Sequence, residues 1–226
     1  MQKAFDRTVS LIGEQAFDRL AQSRVIVVGL GGVGGAAAEV LARSGVGALT
    51  LVDGDAFEPT NLNRQILCTV ADVGKNKAEV AAARVHGVNP SASVTAVSEF
   101  VTADNIDGIL GDGRFDYCID AIDDLKNKIL LITACKRAGI PVISAMGAGN
   151  RLDCDFELTD IFKTKNDPFA RKLRRELKTA GVDKLDVVCA TSPPFVRAGE
   201  PASIAAPPLV MGAMIAGYAV KRLAGV

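Results

Sequence analysis

Val25 to Val28 is an unbroken apolar run that ends at Gly29, and Leu49 to Val52 is a second that ends at Asp53. A glycine-rich turn follows the first run and leads into helical spacing from Val33 to Arg43. Strand, glycine turn, helix and strand predict a βαβ unit with parallel pairing. The alternation continues. Lys77 to Val88 reads as a helix stopped by Asn89-Pro90. Val94 to Val97 reads as a strand, Asp104 to Leu110 as a short helix, and Tyr117 to Ile119 as a strand ending at Asp120. Lys126 to Arg137 reads as a helix with Gly139 at its C-terminal cap, and Pro141 to Ser144 as a fifth strand.

This rhythm predicts an α/β fold: a Rossmann-like, doubly wound, mostly parallel sheet. It changes after Gly149. Arg151 to Ile161 reads as extended, Asp167-Pro168 as the start of a basic helix, and Asp186 to Ala190 as a strand. Ser192 to Pro208 reads as loop, and Leu209 to Leu223 as the last helix. The expectation is one domain over residues 1–226, with a core over 1–149 and a C-terminal extension over 150–226.

Composition narrows this picture. A chain of 226 residues, 49% hydrophobic, supplies a substantial core. Lys plus Arg and Asp plus Glu balance at 26 each, so any surface for nucleic acid must be local. None of the five cysteines is paired as CxxC, which argues against structural zinc and against a disulfide framework. Scattered cysteines and no signal peptide suit the cytoplasm. The weakly polar stretch from Pro201 to Val220 is interrupted by Pro207-Pro208. Only about 12 residues follow, short of the ~20 a membrane span needs, so it reads as a buried or interface helix.

The chemistry begins at Gly29-Leu-Gly31-Gly32-Val-Gly34, a GxGxxG turn between strand and helix. Such a turn lets the backbone approach phosphate oxygens at a helix N-terminus. Asp53, at the next strand end, suits ribose hydroxyls. The turn itself does not separate NAD from ATP. No GxxxxGK[ST] is present, which excludes a P-loop.

The following residues favour a triphosphate. Asp53-Gly-Asp55 is followed by Asn61-Leu-Asn63-Arg64-Gln65, then Lys77, and later Asp120-Ala-Ile-Asp123-Asp124. Arg64 and Lys77 would neutralise charge developing on phosphoryl groups, and Asp123 would hold Mg²⁺. Asp124 would cap the helix behind it.

This set resembles the ubiquitin-activating-enzyme-like superfamily, whose members adenylate carboxylates. The resemblance implies ATP and Mg²⁺ as cofactors, bound by Asp53, Asn61, Arg64, Lys77 and Asp123. It also implies a homodimer in which an N-terminal arginine, here Arg7, reaches the partner's site. The second half is similar to the tRNA threonylcarbamoyladenosine dehydratase family. The matching pieces are Ala121-Ile-Asp123 with Lys128, Gly147-Ala-Gly149, Leu158-Thr-Asp160-Ile-Phe-Lys163-Thr, Asp167-Pro168 leading into Lys172-Leu-Arg174, and the segments around Cys189 and Pro207-Pro208. That resemblance implies adenylation of the threonyl carboxylate of a modified tRNA adenosine. An intramolecular displacement of AMP would then close a ring. A carrier protein's C-terminus as substrate, a sulfur-relay partner, and nicotinamide chemistry stay open as alternatives.

Other residues carry two readings. Cys189 could accept an acyl group or persulfide, or be a small core residue. Cys68, Cys118 and Cys135 read as core, and His86 as a surface residue at a helix end. From Pro168 to Lys178, Phe169, Leu173 and Leu177 form a buried stripe. Arg171, Lys172, Arg174, Arg175 and Lys178, with Lys163 and Lys165 ahead of them, then form a candidate tRNA-phosphate surface.

Overall fold

The computed structural model describes residues 2–111, 114–196 and 202–226. Two helices open it: α1 (Asp6–Ile12) and α2 (Glu14–Gln22). The sequence reading assigned nothing there, because α1 has no apolar stripe that becomes buried. Then come β1 (Arg24–Val28), α3 (Gly32–Ser44), β2 (Ala48–Val52), α4 (Lys77–Val88) and β3 (Ser93–Val97). These are followed by α5 (Ile106–Leu110), β4 (Tyr117–Asp120), α6 (Leu125–Arg137) and β5 (Val142–Ala145). The extension contributes β6 (Phe156–Asp160), α7 (Pro168–Thr179), β7 (Asp186–Ala190) and α8 (Ala206–Ala224).

The seven strands lie in the order β3-β2-β1-β4-β5-β7-β6. All pairings are parallel except β6 with β7. Only Phe156–Asp160 of the expected extended run pairs, and it closes one edge of the sheet. Chain order reverses between β1 and β4, which leaves a crevice beyond the carboxyl ends of those two strands. That crevice is where open α/β sheets take ligands.

Each face of the sheet has its own apolar layer. Leu30, Leu41, Leu51, Ile119, Met211 and Ile215 belong to one, under α3, α4 and α8. Ile26, Cys118, Leu131, Cys135, Leu173 and Leu177 belong to the other, under α6 and α7. Cys68, Cys118, Cys135 and Cys189 are buried, while Cys154 is exposed.

The last helix starts three residues before its expected boundary, with Pro207 and Pro208 inside its first turn. First-turn amides have no intrahelical acceptor, so proline is tolerated there. At 19 residues α8 packs against α3, and no described helix is long and apolar enough to cross a membrane. Part of the expected loop, residues 197–201, lies outside the described residues.

Candidate active site

The glycine turn sits on the crevice because two close approaches demand it. Gly29 has φ +86°, and a methyl there would fall 2.7 Å from the Ala121 carbonyl oxygen. A methyl on Gly34 would fall 1.7 Å from the Gly29 carbonyl oxygen. The first contact keeps the ends of β1 and β4 together, and the second seats α3 on the turn. Gly31 is the N-cap of α3, so the helix's free amides open at this point.

A cleft of about 280 Å³ opens there. Gly29, Gly31, Asp53, Asp55, Lys77 and Asp123 all line it. The carboxylate of Asp53 is also a tie. One oxygen accepts from Leu30 N at 2.7 Å and the other from Asp55 N at 2.9 Å. Burial pushes the Asp53 carboxyl above its ordinary value, opposed by those two amides and by Lys77. Lys77 is buried at the start of α4, with its ammonium 2.9 Å from Asp55 Oδ2. It thus holds a positive charge at the cleft wall, paired with a carboxylate that is itself half-exposed.

Asp123 is exposed on the loop after β4, and Asp124 caps α6 by accepting from Asn127 N at 2.8 Å. Beneath that loop lies a buried network. Lys128, fully buried, donates to the Ile122 carbonyl at 2.8 Å and pairs with Asp120 Oδ2 at 2.9 Å. Ser144 donates to the same Asp120 oxygen at 2.6 Å, and Ile122 N to the other at 3.1 Å. The loop carrying Asp123 is therefore anchored to α6, β4 and β5 together.

Arg64 and Asn61 belong to the neighbourhood but do not line the cleft. The Arg64 carbonyl abuts Gly32, while its guanidinium donates to Thr60 O at 2.9 Å and Asn63 Oδ1 at 3.0 Å. Asn61 is buried and accepts from Glu58 N, closing its own turn. Gly32 packs on Pro208, and Gly34 on Gly29. Arg7 lies on α1, exposed.

The sequence reading passed over Gln65. It lines the cleft, it is buried, and its Oε1 has no hydrogen-bond partner among the described residues. A buried acceptor left without a donor costs about 1–3 kcal/mol, and a ligand donor in the cleft would satisfy it. Gln65 stands within the quoted Asn61–Gln65 run, but only its burial marks it.

Cys189 is buried on β7, with Sγ 3.8 Å from Asp167 Oδ2. Burial and the Asp167 carboxylate push its thiol up to about 12. The thiolate is the nucleophile, so burial and the neighbouring carboxylate weigh against the acyl- or persulfide-acceptor reading and favour the small core residue. His86 is exposed in the last turn of α4.

The ThiF family model matches residues 5–226. The tRNA threonylcarbamoyladenosine dehydratase of Escherichia coli (strain K12) is 45% identical over 179 residues, which cover 79% of this chain and 66% of that protein. The Bacillus subtilis (strain 168) protein of the same description is 40% identical, covering 87% of this chain and 78% of its own. A crystal structure of the Escherichia coli dehydratase in complex with ATP matches with a TM-score of 0.92 at 39% identity, covering 99% of this chain and 95% of that one. With the glycine turn, the acidic strand ends and the buried lysine in one cleft, the chain belongs to the ThiF family, on the branch of the tRNA threonylcarbamoyladenosine dehydratases.

Proposed function

We propose that this chain binds ATP in the cleft and adenylates the threonyl carboxylate of threonylcarbamoyladenosine in tRNA. The carboxylate oxygen attacks the α-phosphorus and pyrophosphate leaves. A neighbouring group of the same side chain then attacks the acyl carbon, AMP leaves, and the ring closes. The net result is loss of water at the expense of ATP. The observation that carries this is the convergence of the glycine turn, Asp53, Lys77 and Asp123 on one cleft.

Each residue has a physical task. The amides at the start of α3 take phosphate oxygens. Asp53 takes ribose hydroxyls. Lys77 and Arg64 offset charge on the leaving pyrophosphate, Arg64 from the loop behind Gly32. The cleft contains no cluster of three metal-ligating side chains among the described residues. That donor set fits Mg²⁺ held by Asp123 and phosphate oxygens, since this ion keeps several waters and needs few protein carboxylates. When bound, the ion neutralises phosphate charge. Ring closure is intramolecular, so proximity is already supplied, which suits a chain with one exposed histidine.

Arg7 and α1 favour a homodimer. The helix buries none of its residues, and Leu11 on it is 84% exposed. A second copy would cover α1 and bring Arg7 to the neighbouring cleft. A sulfur-relay protein would find no accessible thiol at Cys189.

The test is product analysis with modified tRNA, and with a ubiquitin-like carrier protein in parallel. AMP and pyrophosphate with tRNA are expected, and Lys77→Ala or Asp123→Ala should lower the rate about 10²–10³-fold. ADP and phosphate as products, or turnover with the carrier protein alone, would overturn the reading.

A further inference from the structure

A groove of about 490 Å³ runs along α7 beside the turn Ile161–Lys163. Phe162, Arg171, Lys172, Arg174, Arg175 and Lys178 line it. Among the described residues, no carboxylate does. The helix explains how the cations come to face outward. Ala170, Leu173 and Leu177 are fully buried, so the opposite side of α7 must face solvent. Phe169, expected in the stripe, is only half-buried, its ring 5.8 Å from Lys128 Nζ.

The cations are not equivalent. Arg174 donates to Thr164 O at 2.8 Å and to Thr164 Oγ1 at 3.2 Å, so it fastens α7 to the preceding turn. Arg175 has a loose contact to Glu176 at 3.6 Å and is 82% exposed at its side chain. Arg171, Lys172 and Lys178 form no ion pair among the described residues. A one-signed groove in a chain of zero net charge repels itself until an anion enters.

A hydrogen-bonded belt leads from the start of α7 back to the glycine turn. Asn166 Nδ2 donates to Thr191 O at 2.6 Å, and Arg151 Nη1 to Ser192 O at 2.7 Å. Phe195 N donates to Asn150 O at 2.7 Å. Asn150 Oδ1 in turn accepts from Ala202 N at 2.7 Å, and Asn63 Nδ2 donates to Ser203 O at 3.0 Å. Asn63 precedes Arg64, whose carbonyl abuts Gly32. On this belt Phe195 is pinned through its backbone, yet 73% exposed.

We propose that the α7 groove and the belt up to Phe195 form the seat of a single-stranded RNA segment, whose phosphates lie on Arg171, Lys172 and Arg175 and one of whose bases stacks on Phe195. This rests on the tRNA reading above and adds where the RNA lies. Phosphate contacts fix register without reading sequence. Unstacked loop bases are commonly held on aromatic faces, which tolerate any base. The belt ends at Asn63, two residues before Gln65 of the cleft wall, so the seat would lead toward the ATP cleft.

The experiment measures tRNA binding to the full chain across a salt series. It compares wild type, the triple variant Arg171→Ala, Lys172→Ala, Arg175→Ala, and the single variants Phe195→Ala and Phe195→Trp. The triple variant should bind more weakly and lose about one unit of salt slope per contact. Phe195→Ala should bind about tenfold more weakly with the slope unchanged, and Phe195→Trp should bind as wild type. ATP affinity and melting temperature should stay constant throughout, which separates lost contacts from lost folding. Binding equal to wild type in the triple variant or in Phe195→Ala would overturn the seat. So would a triple variant that loses an acidic carrier protein but keeps tRNA. If wild type releases pyrophosphate with modified tRNA while these variants bind normally, only the seat is wrong. If wild type releases none, the reading beneath it is wrong.

Discussion

Side-chain environment, more than residue type, divides the residues that line the cleft from those that do not. Asp53, Lys77 and Asp123 are where their spacing placed them, because each follows a strand end or opens a helix at the crevice. Asn61 and Arg64 share the same motif but bond to their own loop, at Glu58 N and Thr60 O. Spacing cannot show that local competition, and it cannot show that Gln65 Oε1 is buried without a donor. Cys189 is the sharpest case. Its thiol is buried and held protonated by burial and Asp167, whereas Cys154 is exposed. Reactivity follows the thiolate, so native protein at pH 8 should be alkylated by iodoacetamide at Cys154 and spared at Cys189. Peptide mass mapping reads the result, and rapid labelling of Cys189 would mean the strand opens or the thiol is ionised. For the same reason Cys189→Ser should keep most of the ring-closing activity.

Elements were legible where burial was one-sided and regular. The helix Lys77–Val88 and the strand Asp186–Ala190 have the boundaries their apolar patterns predict. The capping aspartates also declared themselves: Asp167 accepts from Phe169 N and Ala170 N, and Asp124 from Asn127 N. The start of α8 was misplaced, because proline in a first turn looks the same in sequence as proline in a loop. Helix α1 was invisible, since it buries nothing within one chain. That same property makes it testable. If Arg7 acts in the partner's cleft, Arg7→Ala and Asp123→Ala each inactivate a homodimer. Mixing the two variants then creates one hybrid site carrying both substitutions and one carrying neither. Roughly half the activity per hybrid dimer should return, and no recovery on mixing would place Arg7 outside the shared site.

For the whole molecule, sheet order is what turns distant motifs into one site. Residues near 29, 53 and 123 meet because β1 lies between β2 and β4. The alternation of strands and helices announced the doubly wound class, and the right-handed crossovers of that class leave few orders to consider. The antiparallel β6 was not announced, because only five residues of a longer extended run find a partner. The buried contact among Lys128, Asp120, Ser144 and Ile122 has a consequence for motion. Opening the loop that carries Asp123 would take Ile122 N from Asp120 and Ile122 O from Lys128, leaving each buried charged group one hydrogen bond short, at about 1–3 kcal/mol apiece. Sub-global opening of that loop alone is therefore suppressed, and it belongs to the same cooperative unit as β4 and β5. Hydrogen exchange should show the amides of Ala121 and Ile122 protected to the level of strand amides in β4, although they lie in a loop. Exchange there as fast as in the exposed turn at Thr102–Asn105 would mean that the loop fluctuates on its own. If it does not, the Asp123 carboxylate stays in place as ligands come and go, and rearrangement during turnover falls to the ligands.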